Sequence, residues 1–226
     1  LQNRVKIIGC KFLDSSGTGT TADAIKCFEY AYYLKVQRGF NLVATSNSWG
    51  GGGFSWALYD AIAANRDAGI LAVFAAGNAA SDNDTTDNFP SNYDLDNIIA
   101  VGSMNQHDCA SSFSNWGGRS VDIFAPGSLI LGACPWPLIG MCSGDPNVQY
   151  VFASGTSMAT PHVTGLAALL KAVQPSLQWW QIRNIILTTG VASTMTDANC
   201  SALGGNDVDG GTFQSYTCLL YTSDAA

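Results

Sequence analysis

The sequence predicts an α/β protein built on a mainly parallel sheet, and three observations carry that expectation. From Val5 to Ala75, short apolar runs alternate with longer segments of helical periodicity, in the order strand, helix, strand, helix, strand. The run Leu71-Ala72-Val73-Phe74-Ala75 is apolar throughout and leads into Ala76-Gly77-Asn78, as expected of a central parallel strand with a functional loop at its carboxyl end. Farther on, Tyr150 to Ala172 reads as a short strand, a glycine turn and a long helix. Such alternation implies parallel strands joined by right-handed crossovers.

The elements follow in order. Val5–Leu13 reads as a strand, and Asp14-Ser15-Ser16-Gly17 follows it as a turn. Thr20-Thr21-Ala22-Asp23 supplies a polar cap with an early acidic residue for a helix over Thr21–Arg38. Its apolar face is expected to hold Ala24, Phe28, Ala31, Tyr32 and Val36. A strand over Leu42–Asn47, a helix over Phe54–Ala68 and the strand Leu71–Ala75 come next. The Asp-, Asn- and Thr-rich stretch Ser81–Asn92 reads as a solvated loop. It carries Asp82, Asp84 and Asp87 but lacks the glycine and closing glutamate of a calcium hand. Ile98–Ser103 and Tyr150–Ala153 read as further strands. The helix containing Val163–Ala172 is expected to start with Ser157 at its head and to hold Pro161 in its first turn, where proline is tolerated. Ser193–Tyr216 is rich in Gly, Ser and Thr and offers no site.

Composition narrows the function classes. The chain has 226 residues, 47% of them hydrophobic and only 12% charged, with 24 glycines. That suffices for one sizeable core and suits a secreted enzyme. A net charge of −7 argues against nucleic acid or an acidic membrane as partner, and no apolar run reaches membrane-spanning length. Seven cysteines are present; setting aside Cys218 leaves Cys10, Cys27, Cys109, Cys134, Cys142 and Cys200, an even number that fits disulfides in an oxidising compartment. Cys134 and Cys142 bracket a proline-rich loop and are the preferred pair; closing so short a loop contributes about 2–3 kcal/mol. Free buried thiols stay open for Cys10 and Cys27. A zinc site is poorly supported, because no C-x-x-C occurs and the chain has only 2 histidines.

The chemistry concentrates in Ser154-Gly155-Thr156-Ser157-Met158-Ala159-Thr160-Pro161-His162. A serine at the head of a helix stands beside backbone N–H groups that favour developing negative charge. The nonapeptide resembles the nucleophile motif of the subtilisin-like serine proteases (subtilases, peptidase S8). That resemblance, which runs from about Val5 to Val191, implies a three-layer fold with helices on both faces of the sheet. It makes Ser157 the nucleophile and Asn78, in A-A-G-N, the side-chain donor to the oxyanion. Ser46-Asn47-Ser48-Trp49-Gly50-Gly51 is similar to the family's substrate-binding strand, where an extended peptide pairs with main-chain groups. Ser48, Trp49 and Gly50 would form one wall of the first specificity pocket and Ala75, Ala76 and Gly77 the other. Trp49 taken alone reads as a core aromatic. Phe89-Pro90 resembles the step near the pocket bottom and puts Asn88 at its base. With no carboxylate there, uncharged residues of medium or large size are expected before the scissile bond. Ser111–Gly117 and Val121–Gly127 resemble two further family segments. In some relatives the aspartate of the second ligates calcium, which maps to Asp122 with carbonyls near Asp96 and Ile98; a hydrogen-bonded structural carboxylate is the competing reading. The chemistry itself needs no cofactor. A polypeptide substrate, a pro-segment in the precursor, a monomer and a secreted or extracellular location are implied.

An unassisted serine is a poor nucleophile and needs a base and an orienting carboxylate. The family's D-T-G or D-S-G segment and its H-G-T-x-V-A-G segment have no counterpart here. Asp14 stands in the wrong place, after a strand that in the family follows the histidine. His162 lies five residues past Ser157 on the same helix and points away, and His107 sits in a polar loop. The expectation is therefore a partial catalytic domain over 1–216, with the aspartate and histidine upstream and this piece inactive alone. The end of the chain, Cys218-Leu219-Leu220-Tyr221-Thr222-Ser223-Asp224-Ala225-Ala226, resembles a translated sequencing adapter, so 217–226 is expected to be a non-native tail. Two other readings share the serine motif: a serine-carboxyl (sedolisin-like) peptidase, against which Asn78 counts because that family uses aspartate there, and a non-catalytic pseudoprotease that keeps the groove.

Overall fold

In the computed structural model, which describes residues 5–133, 150–192, 200 and 217–218, four parallel strands form the centre. They are β1 (Ala44–Asn47), β2 (Leu71–Ala75), β3 (Ile98–Met104) and β4 (Ile123–Pro126), side by side in chain order. β5 (Ile130–Ala133) and β6 (Tyr150–Ala153) pair antiparallel as a separate two-stranded arm. The short β7 (Val191–Ala192) and β8 (Thr217–Cys218) lie beyond β4 in the order β4-β8-β7. Thr217–Cys218 belong to the segment set apart as a tail by its sequence.

Among the described residues, the sheet is covered by the helices α1 (Thr21–Val36), α2 (Trp56–Asp67), α3 (Thr156–Val173) and α4 (Trp179–Thr189). Strand alternation divides the core into two layers. Leu71, Val73, Ile99, Val101 and Ile123 face α3 and α4 and pack on Ala159, Val163, Ala167, Ile182 and Ile186. Ala72, Phe74 and Ile98 face the other way, onto Phe28, Leu58 and Ile62 of α1 and α2. Helices thus lie on both faces, as expected. Among the described residues, no helix is long and apolar enough to cross a membrane.

Several expectations need correction. Residues 5–13 form no strand; Ile7 is 95% exposed, and among the described residues the segment has no ladder neighbour. A strand without a neighbour leaves its backbone to water, and this one is held instead by side chains. Cys10 is bonded to Cys27 of α1, so neither is a free thiol, and Phe12 packs edge-on against Trp49 with ring centroids 5.1 Å apart. A second disulfide joins Cys109 to Cys200, while Cys134 and Cys142 lie outside the described residues. On α1 the buried arc is Ala24, Phe28, Ala31 and Leu34, with Tyr32 and Val36 exposed. At about 100° per residue, positions 32 and 36 turn progressively off the arc centred between 24 and 31. The loop 81–92 is not simply solvated, since Asn83, Pro90 and Ser91 are buried. Finally, α3 begins at Thr156, so Pro161 is its sixth residue rather than a first-turn one.

Candidate active site

The strand ends β1 and β2 and the start of α3 meet at one edge of the sheet. α3 is entered through Gly155, which has φ +157° and whose N–H donates to Gly127 O at 2.8 Å. Thr156 follows, fully buried, and Ser157 stands half-buried in the first helical turn, where amides lack intrahelical acceptors.

Asn78 is clamped to that turn. Its Oδ1 accepts from Thr156 N at 2.8 Å and from Thr156 Oγ1 at 3.0 Å. Thr156 Oγ1 in turn accepts from Gly77 N at 3.2 Å. With the amide oxygen committed to two donors, the Asn78 Nδ2 group is the end left to donate outward. A methyl group added to Gly155 would lie 3.6 Å from both Asn78 Nδ2 and Ser157 N. A side-chain amide donor and a helix-start N–H therefore both lie close to the Gly155 position, just before the serine.

Pro161 has a local consequence. It has no N–H to give to the carbonyl four residues back, which is that of Ser157. Ser48 Oγ donates to Ser157 O instead, at 2.8 Å, and Ser157 Oγ lies 3.4 Å from Ser48 O. The segment after β1 is thereby tied to the helix that carries the serine. The ring of Trp49 packs against Phe12, Phe28 and Phe74, so this side chain belongs to the core, while Ser48 and Gly50 on either side of it are exposed.

Ala75 and Ala76 are buried, and Gly77 has φ +112°. Asn88 lies between the two proposed walls: its Nδ2 donates to Ala76 O at 2.9 Å and to Ser91 Oγ at 3.1 Å, and a Cβ on Gly50 would meet Phe89 O at 3.3 Å and the Asn88 amide just beyond. Gly51 N donates to Phe89 O at 3.2 Å. The structure thus brings Ser48, Gly50, Ala76, Gly77, Asn78, Asn88 and Ser157 together.

The histidines are not among them. His162 is exposed on α3 with Nδ1 2.8 Å from Met158 O, and His107 is exposed in the loop after β3. Asp14 accepts from Ser16 N and Thr18 N in its own turn. Asp122 is remote from the serine. Its Oδ1 accepts from Arg183 Nη2 at 2.8 Å and its Oδ2 from Ala100 N at 2.8 Å, while Arg183 Nε donates to Ile98 O at 3.0 Å. Burial pushes the Asp122 carboxyl up, against the pull of Arg183 and the Ala100 N–H. Among the described residues, no group of three or more His, Cys, Asp or Glu is placed to hold a metal ion.

Two contributors escaped sequence reasoning. Thr156 is part of the nucleophile motif, but its grip on Asn78 joins residues 78 apart in sequence, which no local pattern reveals. Arg183 looks like an ordinary basic residue of an amphipathic helix until the fold brings it to Asp122.

A family model described as the subtilase family matches residues 2–210. The chain is 38% identical over 177 residues to the subtilase-type proteinase psp3 of Schizosaccharomyces pombe, covering 78% of this chain and 36% of that protein. It is 37% identical over 171 residues to the cuticle-degrading protease of Metarhizium anisopliae, covering 76% and 40%. It is 34% identical over 186 residues to subtilisin DY of Bacillus licheniformis, covering 82% and 61%. The crystal structure of a cold adapted subtilisin-like serine proteinase matches with a TM-score of 0.65 at 33% identity, over 80% of this chain and 58% of that one. The chain spans between 36% and 61% of the length of these three curated relatives.

Proposed function

Because the chain belongs to the subtilase family of serine endopeptidases, we propose that it carries the nucleophile, oxyanion site and substrate groove of a secreted endopeptidase. Ser157 Oγ attacks the peptide carbonyl to form an acyl-enzyme. The oxyanion is held by Asn78 Nδ2 and the Ser157 N–H, and the backbone at Ser48–Gly50 aligns the peptide. The observation that carries this reading is the clamp of Asn78 Oδ1 on Thr156, which leaves only the donating end of the amide to face the reacting carbonyl. The general base and its aspartate come from sequence outside these 226 residues, since neither histidine lies beside Ser157. The two disulfides among the described residues suit an oxidising compartment. Asn88 closes the pocket without a charge and supports uncharged side chains before the scissile bond.

The reaction needs no cofactor, and Asp122 does not fit as a calcium ligand. Both of its carboxylate oxygens and the Ile98 carbonyl already accept hydrogen bonds, and the guanidinium supplies the positive charge a calcium ion would bring.

The test is serine-directed labelling of the full-length protein with a fluorophosphonate, read by mass spectrometry, beside hydrolysis of an uncharged peptide substrate. Label on Ser157, with both label and hydrolysis lost in Ser157→Ala, is expected. No label on Ser157 and no turnover would leave the groove as a peptide-binding surface and end the catalytic reading.

A further inference from the structure

The loop that presents Asn78 has backbone groups on each side of that residue, and both sides are gripped by one buried residue, through its main chain on one side and its side chain on the other. Asn115 is only 2% exposed. Its N–H donates to Gly77 O at 2.9 Å, just before Asn78. Its Oδ1 accepts from Ala79 N at 2.7 Å, just after Asn78, and from Ser81 N at 3.4 Å. Its Nδ2 donates to Asn83 Oδ1 at 2.9 Å, and Asn83, 1% exposed, donates its own amide to Ala76 O at 2.8 Å. Neighbouring backbone continues the grip: Ala80 N donates to Phe113 O and Trp116 N to Ser81 O. The approach is so close that a Cβ on Gly77 would collide with the Asn115 amide. Gly77 is thus required to be glycine both by this contact and by its φ of +112°.

From this geometry we infer that Asn115 is a positioning residue for the oxyanion donor, fixing the backbone at 77 and 79 so that Asn78 meets Thr156 and faces Ser157. The inference rests on the reading of Asn78 as the oxyanion donor. At 2% exposure Asn115 is closed off from solvent, and it acts by holding the loop. Thr156 sets the rotation of the Asn78 amide, whereas Asn115 sets where the Asn78 Cα lies. Both are needed for a donor that is useful only when its placement matches the transition state. A displacement of about 1 Å in such a group can cost on the order of 100-fold in rate.

A double-mutant cycle in the full-length enzyme separates positioning from plain structural support. Four proteins are compared: wild type, Asn78→Ala, Asn115→Ala and the double variant. Each is normalised for active sites by burst titration with an acylating ester, well below its melting temperature. The expected result is a fall in kcat of about 10- to 100-fold for Asn115→Ala in the wild-type background, shrinking to within about threefold once Asn78 is already alanine. Equal losses in both backgrounds, or no loss in the first, overturn the inference while leaving Asn78 in its role. If Asn78→Ala itself costs nothing, the oxyanion assignment falls and takes this inference with it, a distinct outcome. Asn115→Asp keeps an accepting oxygen for Ala79 and Ser81 but replaces the donor toward Asn83 Oδ1 with a second acceptor, which costs stability in a buried place rather than the hold on Ala79. It should retain more kcat than the alanine variant, and it repeats the cycle should Asn115→Ala fail to fold.

Discussion

Replacing Arg183 by leucine tests whether a guanidinium takes a cation's place between Asp122 and Ile98. The substitution keeps apolar bulk on α4 but removes the donors to Asp122 Oδ1 and Ile98 O. Breaking a buried ion pair from one side typically costs about 3–5 kcal/mol, because a buried charge stays behind. Here the Arg183 and Asp122 side chains keep 25% and 20% of their exposure, so about 2–3 kcal/mol is the better expectation. For a chain of this size that corresponds to a loss of about 5–10 °C in melting temperature. The pH dependence has a definite sign. Burial already raises the folded Asp122 pKa, and without Arg183 it rises further, so the native state binds a proton more tightly than the unfolded one. The variant's deficit should therefore grow as pH rises through the interval above the unfolded value of 3.8 and shrink below it. Calorimetry across pH, with and without millimolar calcium, reads all of this in the full-length protein. Leucine at 183 should add a calcium-dependent rise in melting temperature that wild type lacks and that Asp122→Asn abolishes. A wild-type calcium response that disappears in Asp122→Asn would refute the reasoning, as would an Arg183→Leu variant that melts with the wild type.

Two further outcomes follow from other contacts. Asp84 is pushed up by burial, but hydrogen bonds from Ser120 Oγ at 2.7 Å and from the Arg119 and Ser120 N–H groups outweigh this and hold its pKa below 3.8. Its contribution is present above the unfolded value and lost as pH falls through the lower folded one, so acid denaturation curves of Asp84→Asn should lose the part of the slope that wild type shows below about pH 4. Cys27→Ser releases residues 5–13, which otherwise hold on through Phe12 and Trp49. Closing a 17-residue separation is worth about 3 kcal/mol. Limited proteolysis should then cut before Thr21 while labelling of Ser157 is unchanged; cleavage that also abolishes the labelling would show that the segment supports the groove.

The parts of the fold legible in the sequence were those where a local pattern and the tertiary fold agree. Leu71–Ala75 is apolar at every position because the sheet is covered on both faces, and the structure buries all five residues. Val5–Leu13, a mostly apolar run interrupted by Lys6 and Lys11, failed as a strand, because a strand is made by its neighbour and no spacing reports whether the neighbour is present. Ser157 and Asn78 stand out in the sequence because each sits in a dense motif, and the fold brings those two motifs into contact through Thr156. Thr156, Asn115 and Arg183 do not, since their roles are hydrogen bonds to residues far along the chain. The sequence shows only that they can donate or accept. Pro161 was misplaced by one turn, and the correction was informative: the carbonyl it frees explains why Ser48 reaches the nucleophile's own backbone.

The site within these residues is uneven, and the unevenness bears on what the chain can do. Its electrostatic part is assembled from rigid pieces: a buried threonine, two buried asparagines and a helix start. Its acid–base part is not assembled among the described residues, where the histidines stand exposed elsewhere. In triad enzymes, removing a triad member leaves about 10³- to 10⁴-fold catalysis over water, from the oxyanion site and binding alone. On the proposed reading, a groove and an oxyanion site without a base predict measurable peptide affinity joined to hydrolysis many orders of magnitude below a complete enzyme. The same division explains why Asn115 and Thr156 are better probes of this chain than a histidine scan. They test the half of the mechanism that these residues hold, through a quantity, the placement of the Asn78 amide, that the chain fixes by itself.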